Sequence, residues 1–172
     1  MIALCSGFAL LLALVTIPAF ALNAGQPAPP LTATLLDGRN FSLAEQRGKV
    51  VLINYWATWC EPCRAELTAF DEFLRTHAST GLTILAISMD DPEDAKKVAA
   101  IAATLSFPVA MADRVQAPGY GRVWRLPMSY VIDRDAVLRI DGGRGPAQVY
   151  DLPALQRAVE PLLNPATPSQ KP

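Results

Sequence analysis

A chain of 172 residues with 51% hydrophobic side chains and a formal charge of −1 can bury one core of ordinary domain size, and it carries no electrostatic pull toward nucleic acid. No acidic run forms a charged tail, and one histidine with no glycine-rich phosphate loop gives no support to a bound nucleotide or flavin. Of its three cysteines, two are spaced Cys-x-x-Cys, and these carry the chemistry that remains.

In chain order, Met1 to Leu36 contains no charged side chain, and Ile2 to Leu22 is almost wholly apolar. Residues 1–24 read as a targeting segment. It is either a secretory signal peptide cleaved after the small-x-small triplet Ala19-Phe20-Ala21, or a membrane anchor through residues 1–22. Both versions put the rest of the chain in a periplasmic or extracytoplasmic compartment, where disulfides persist. Cys5 is then a small apolar residue of the leader. Gln26 to Pro30 is a proline-rich linker, and Leu31 to Leu35 begins an extended region. Asp37-Gly38 marks a turn, with Phe41-Ser42-Leu43 as the second arm of a hairpin.

Gly48-Lys49 opens the apolar run Val50-Val51-Leu52-Ile53-Asn54-Tyr55-Trp56, a strand buried on both faces. Pro62 fits the first turn of the helix that follows, in which Leu67, Phe70, Phe73 and Leu74 recur at helical spacing up to a stop near Gly81. Leu82 to Ile87 is a second apolar strand, and Asp90-Asp91-Pro92-Glu93 starts a helix through Val98, Ile101 and Leu105. Strand, helix, strand, helix implies a parallel pair with right-handed crossovers. Phe107 to Met111 adds a short strand, Met128 to Asp133 and Ala136 to Ile140 form an antiparallel hairpin ended by Gly142-Gly143, and Asp151 to Leu163 is one last helix. The ordered domain spans residues 25–163, and residues 164–172 form a disordered tail.

Cys60 and Cys63 therefore sit where a buried strand hands over to a helix. At that spacing the two thiols can close a small disulfide, with Cys63 in the first helical turn and Cys60 at its N-terminal edge. Cys60 is the exposed thiol, and the unpaired N–H groups of the helix start favour its thiolate, the species that attacks disulfides. Two other readings stand beside the redox one. Half a zinc site would need four ligands from a chain offering only Cys5 and His77 besides the pair, and a structural disulfide across so short a loop would stabilise little.

The stretch from Gly48 to Leu67, with Trp56-Ala57-Thr58-Trp59-Cys60-Glu61-Pro62-Cys63 at its centre, closely resembles the TlpA/ResA-like extracytoplasmic thioredoxin-fold oxidoreductases. The likeness extends through Ala28-Pro29, Leu36-Asp37-Gly38 and Phe41-Ser42-Leu43, and downstream through Leu126-Pro127-Met128-Ser129-Tyr130-Val131-Ile132-Asp133. It implies an α/β thioredoxin-like fold with an N-terminal β-hairpin extension and a central βα insertion, a mixed sheet flanked by helices. The activity implied is thiol-disulfide exchange without metal or other cofactor, through a redox-active Cys60/Cys63 pair. Disulfide-bearing envelope proteins would be the substrates, in cytochrome c maturation or at metal-site thiols, and a membrane thiol-transfer protein of the DsbD/CcdA kind the electron donor.

Residue by residue, the resemblance makes Glu66 a proton donor or acceptor that tunes the thiols, although the spacing alone also allows a solvated first-turn carboxylate. Asn54 stands where cytoplasmic thioredoxins carry a buried Asp, so that base is missing. Pro127 is expected to be cis and to face the disulfide, Leu126 to present its backbone to a bound polypeptide, and Trp59 to flank the reactive sulfur. Glu61 and Pro62 tune the potential. Two departures appear. Gly121-Arg122-Val123-Trp124-Arg125-Leu126-Pro127 lacks the Gly-Ala-Pro-Glu pattern of dedicated cytochrome c maturation reductases, and Ala136 replaces a turn glycine.

Two further classes stay open. A peroxiredoxin-like peroxidase would need Thr three residues before its reactive cysteine, where this chain has Ala57. A non-enzymatic Cu(I)-binding protein would use the soft thiolates, but no Met-rich run accompanies them and His77 fits a helix C-terminus better than a ligand.

Overall fold

The computed structural model describes residues 22–164; the leader and tail read from the sequence lie outside the described residues apart from 22–24 and Asn164. A hairpin of β1 (Thr32–Leu35) and β2 (Asn40–Ser42) precedes β3 (Val50–Trp56), α1 (Glu61–Thr76) and β4 (Leu82–Ser88). Then come α2 (Ala95–Ala102), β5 (Val109–Gln116), the hairpin of β6 (Met128–Ile132) and β7 (Leu138–Ile140), and the short α3 (Leu152–Ala158) and α4 (Glu160–Leu163). One sheet holds all seven strands in the order β2-β1-β5-β4-β3-β6-β7. The β3-β4 and β4-β5 pairs are parallel and the rest antiparallel, so the sheet is mixed, as expected.

Every residue of β3 is buried, because it lies mid-sheet with both faces covered. Its side chains alternate: Val50, Leu52 and Trp56 join the cluster built with Leu67, Phe70 and Phe73 of α1, and Val51, Ile53 and Tyr55 the cluster built with Leu31, Phe41 and Tyr130. This period of two puts Asn54 on the α1 side, in the middle of an apolar layer. Trp56 and Tyr55 are core residues, as the sequence indicates.

Three elements differ from the sequence reading. The strand expected at Phe107 to Met111 runs on to Gln116, because its second half is paired by β1 (Ala33 with Val115, Thr32 with Gln116). The last helix is two pieces meeting at Val159. Pro161 has no N–H to give the carbonyl of Arg157, and its ring crowds that carbonyl, so the helix cannot run through. The start expected at Asp90 is a 3₁₀ turn over Pro92–Asp94, and α2 begins at Ala95.

The β6-β7 turn shows what replaces the missing glycine. Ala136 takes φ of +63°, the positive value seen at no other non-glycine described residue. Asp133 holds it there: its carbonyl accepts from Ala136 N, its Oδ1 accepts from Asp135 N and Val137 N, and its own N–H donates to Val137 O. A left-handed alanine costs about 1–2 kcal/mol that glycine does not. Ala136→Gly is therefore expected to raise stability by about 0.5–1 kcal/mol, after the extra freedom glycine confers on the unfolded chain, with unchanged m in a urea titration.

Candidate active site

The Cys60-Cys63 unit is made by the chain reversal from β3 into α1. Cys60 is the N-cap residue, in extended conformation, and its carbonyl accepts the first helical bond from Arg64 N at 3.2 Å. Glu61 and Pro62 occupy the first two helical positions and are exposed, and Pro62 loses nothing there because those N–H groups have no helical partner. Cys63 follows in the same turn, and the two sulfurs form a disulfide with Cα atoms 5.3 Å apart. Access is tighter than the sequence implies. Cys60 is only 6% exposed and Cys63 is fully buried, so the ranking of the two thiols stands but the first is nearly covered. The open surface belongs to Trp59, 71% exposed.

Asp90, just past the end of β4, fixes the loop leading to Cys60. Its carboxylate accepts from Thr58 N (2.8 Å), Thr58 Oγ1 (2.6 Å) and Ser88 Oγ (2.7 Å). Parallel pairing of Trp56 with Ser88 sets the two strand ends side by side, so this clamp follows from register. From the sequence Asp90 reads as a helix start, and no local signal reveals the contact across 32 residues.

Glu66, one turn beyond Cys63, is 1% exposed, which excludes the solvated first-turn carboxylate. Its Oε2 accepts from Asn54 Nδ2 at 2.7 Å and its Oε1 from Tyr150 N at 2.8 Å. Burial pushes its pKa up to about 7 against these two donors, which pull the other way. Asn54 also donates to Ser129 Oγ at 2.9 Å, while its own Oδ1 is buried without a partner. The residue that replaces the thioredoxin aspartate thus supports a carboxyl delivered from the helix. The Tyr150 contact is made by the main chain and has no side-chain signature in the sequence.

Pairing of Asn54 with Ser129 and Tyr55 with Met128 brings the Leu126-Pro127 segment to the same end of β3, and the Leu126-Pro127 peptide bond is cis. Pro127, Ser129 and Tyr150 line one small cavity of about 120 Å³, and Leu126 shares a neighbouring cleft with Trp59. Gly142 seats against the Ser129 main chain, where a Cβ would fall 2.3 Å from the carbonyl oxygen. His77 caps the far end of α1, its Nδ1 2.9 Å from Phe73 O. Among the described residues no group of three or more His, Cys, Asp or Glu side chains could hold a metal ion.

The fold and this dithiol site define a thioredoxin-like domain of the Cys-x-x-Cys class. Residues 24–140 match the AhpC/TSA family, and the chain belongs to it. It is 35% identical over 111 residues to the thiol-disulfide oxidoreductase ResA of Bacillus cereus, covering 64% of each chain. With the thioredoxin-like protein YneN of Bacillus subtilis it shares 35% identity over 118 residues, 67% of this chain and 68% of the relative. The match thus spans just under two thirds of the ResA relative's length. Among solved structures, a putative thiol:disulfide interchange protein DsbE from Chlorobium tepidum superposes with a TM-score of 0.68 at 26% identity, over 83% of this chain and 99% of that one.

Proposed function

We propose that the protein is an extracytoplasmic thiol-disulfide oxidoreductase that reduces disulfides of envelope proteins. The observation that carries this is the nearly buried Cys60-Cys63 pair at the start of α1, with the Glu66 carboxyl one turn behind it. The reduced Cys60 thiolate attacks a substrate disulfide, forming a Cys60-substrate S–S bond and breaking the substrate's own, and the expelled sulfur takes up a proton. Cys63 then loses its proton to Glu66 and attacks the Cys60 sulfur. The second substrate thiol leaves, and two electrons have passed from protein to client.

The reducing direction is the one the TlpA/ResA-like resemblance favours. The relative named an oxidoreductase and the neighbour named an interchange protein support the chemistry. A membrane thiol-transfer protein of the DsbD/CcdA kind would resupply the electrons, and apocytochromes and copper-site proteins are the client classes to try. Residues 1–24 would deliver the domain across the membrane or hold it there. The Thr58 hydroxyl is committed to Asp90, which favours this reading over a peroxidase using Thr58 beside Cys60.

Equilibration of the full chain with dithiothreitol, followed by thiol trapping, is expected to give a potential at or below about −270 mV. A value near about −120 mV would reverse the assigned direction and make the pair an oxidant of exported thiols.

A further inference from the structure

Beside the disulfide lies a cleft of about 300 Å³ lined by Trp59, Met89, Val123, Trp124, Arg125 and Leu126. Trp59 and Trp124, at 71% and 61% exposure, are the two most exposed large apolar side chains among the described residues, and they line this one cleft. Trp124 is held in place. Its Nε1 donates to Gly143 O at 3.3 Å, and the Arg125 guanidinium lies 4.5 Å from its ring centroid. Arg125 is itself anchored by donating to the carbonyls of Gly142 (2.7 Å), Gly145 (2.8 Å), Pro146 (3.2 Å) and Arg144 (3.4 Å). Its terminal N–H groups are directed at the 142–146 loop, and the other lining side chains, Trp59, Met89, Val123, Trp124 and Leu126, give the cleft apolar contact.

We propose that Trp124 and Trp59 form a specificity subsite that takes a bulky apolar side chain flanking the reacting cysteine of a polypeptide substrate. The subsite rests on the oxidoreductase reading, since the occupant must bring a disulfide to Cys60. Continuity argues for it: of the lining residues, Trp59 is bonded to Cys60 and Leu126 to Pro127, so a polypeptide crossing the sulfur reaches this cleft. The volume lies at the lower end for small-ligand pockets and suits one or two side chains. Trp124, already positioned by its hydrogen bond and by Arg125, costs little ordering entropy on binding, and tryptophan is among the residue types that dominate contact energy.

The test uses pre-reduced full chain and two synthetic disulfide peptides, one with Phe and one with Gly beside the reacting cysteine, with oxidised glutathione as a small disulfide. The Phe peptide is expected to react at least about tenfold faster, the scale on which an apolar pocket discriminates. Trp124→Ala should bring the two peptides within about twofold of each other, and Trp124→Phe should keep most of the preference, as expected for a pocket contact. Equal rates for the two peptides in the wild type, or a Trp124→Ala loss that is the same for both, would overturn the subsite while glutathione reduction leaves the oxidoreductase reading intact. No reduction of any of the three would overturn both. A sedimenting dimer that dissociates in Trp124→Ala would assign the cleft to a second copy of the chain instead.

Discussion

Cys60→Ser is expected to abolish disulfide reduction, by about 10⁴-fold or more, and Cys63→Ser to halt it at a trapped mixed disulfide. The difference follows from position. Cys60, at 6% exposure and at the N-cap, is the sulfur an incoming disulfide can reach, whereas Cys63 is fully buried and can attack only a sulfur already bound to Cys60. A hydroxyl in place of Cys60 supplies no nucleophile at neutral pH, so no adduct forms. In Cys63→Ser the first exchange goes ahead and nothing resolves it, giving an adduct with the substrate's mass that survives denaturing, non-reducing electrophoresis. An adduct trapped by Cys60→Ser instead would exchange the roles of the two cysteines.

The second large effect is at Glu66. Burial raises its pKa from 4.5 to about 7, so the carboxyl gains its charge near neutral pH and can then accept the Cys63 proton. The resolving step should therefore speed up as pH rises through about 7. In Glu66→Gln it should be about 100-fold slower at pH 8, with that inflection gone. Stopped-flow measurement of mixed-disulfide release separates this step from the first attack. Slowing of the first attack alone would remove Glu66 from the resolving step.

Stability carries the same signature with the opposite trend. A carboxyl whose folded pKa exceeds its unfolded value binds its proton more tightly in the native state. Its contribution is complete below pH 4.5 and is lost as pH climbs through about 7. The span of the shift corresponds to about 3 kcal/mol, and Glu66→Gln should flatten that slope in urea titrations across the window. Since Gln can face its two N–H donors with only one oxygen, the variant should also be less stable than wild type at low pH by about 1–3 kcal/mol.

Much of the fold was legible because its signals are local. The apolar run of β3, interrupted only by Asn54, announced a buried strand, Pro62 marked the first turn of α1, and the Asp37-Gly38 turn announced the first hairpin. The misjudged boundaries were decided elsewhere in the chain. Gln116 lies in a strand because Thr32 pairs with it. The break at Val159 is the exception: Pro161 is a local signal for it, set within an apolar period of 3.6 residues that by itself reads as one continuous helix.

At the site, Cys60, Cys63 and Pro62 could be placed from spacing alone, because they share one strand-to-helix junction and their chemistry depends on neighbours in sequence. The surroundings that tune them come from afar. Asp90 reaches Thr58, Tyr150 N reaches Glu66 across 84 residues, and Trp124 meets Trp59 across a cleft. The sequence alone determined that this chain carries a helix-edge dithiol on a mixed α/β scaffold, since residue type and short-range periodicity encode both. Only the tertiary structure decided that Glu66 is buried on Asn54 with a raised pKa, that Cys60 is nearly covered, and that two tryptophans wall the approach to it. Burial, and the pKa that follows from it, depend on what the rest of the chain packs against a residue, and sheet register and loop packing set that.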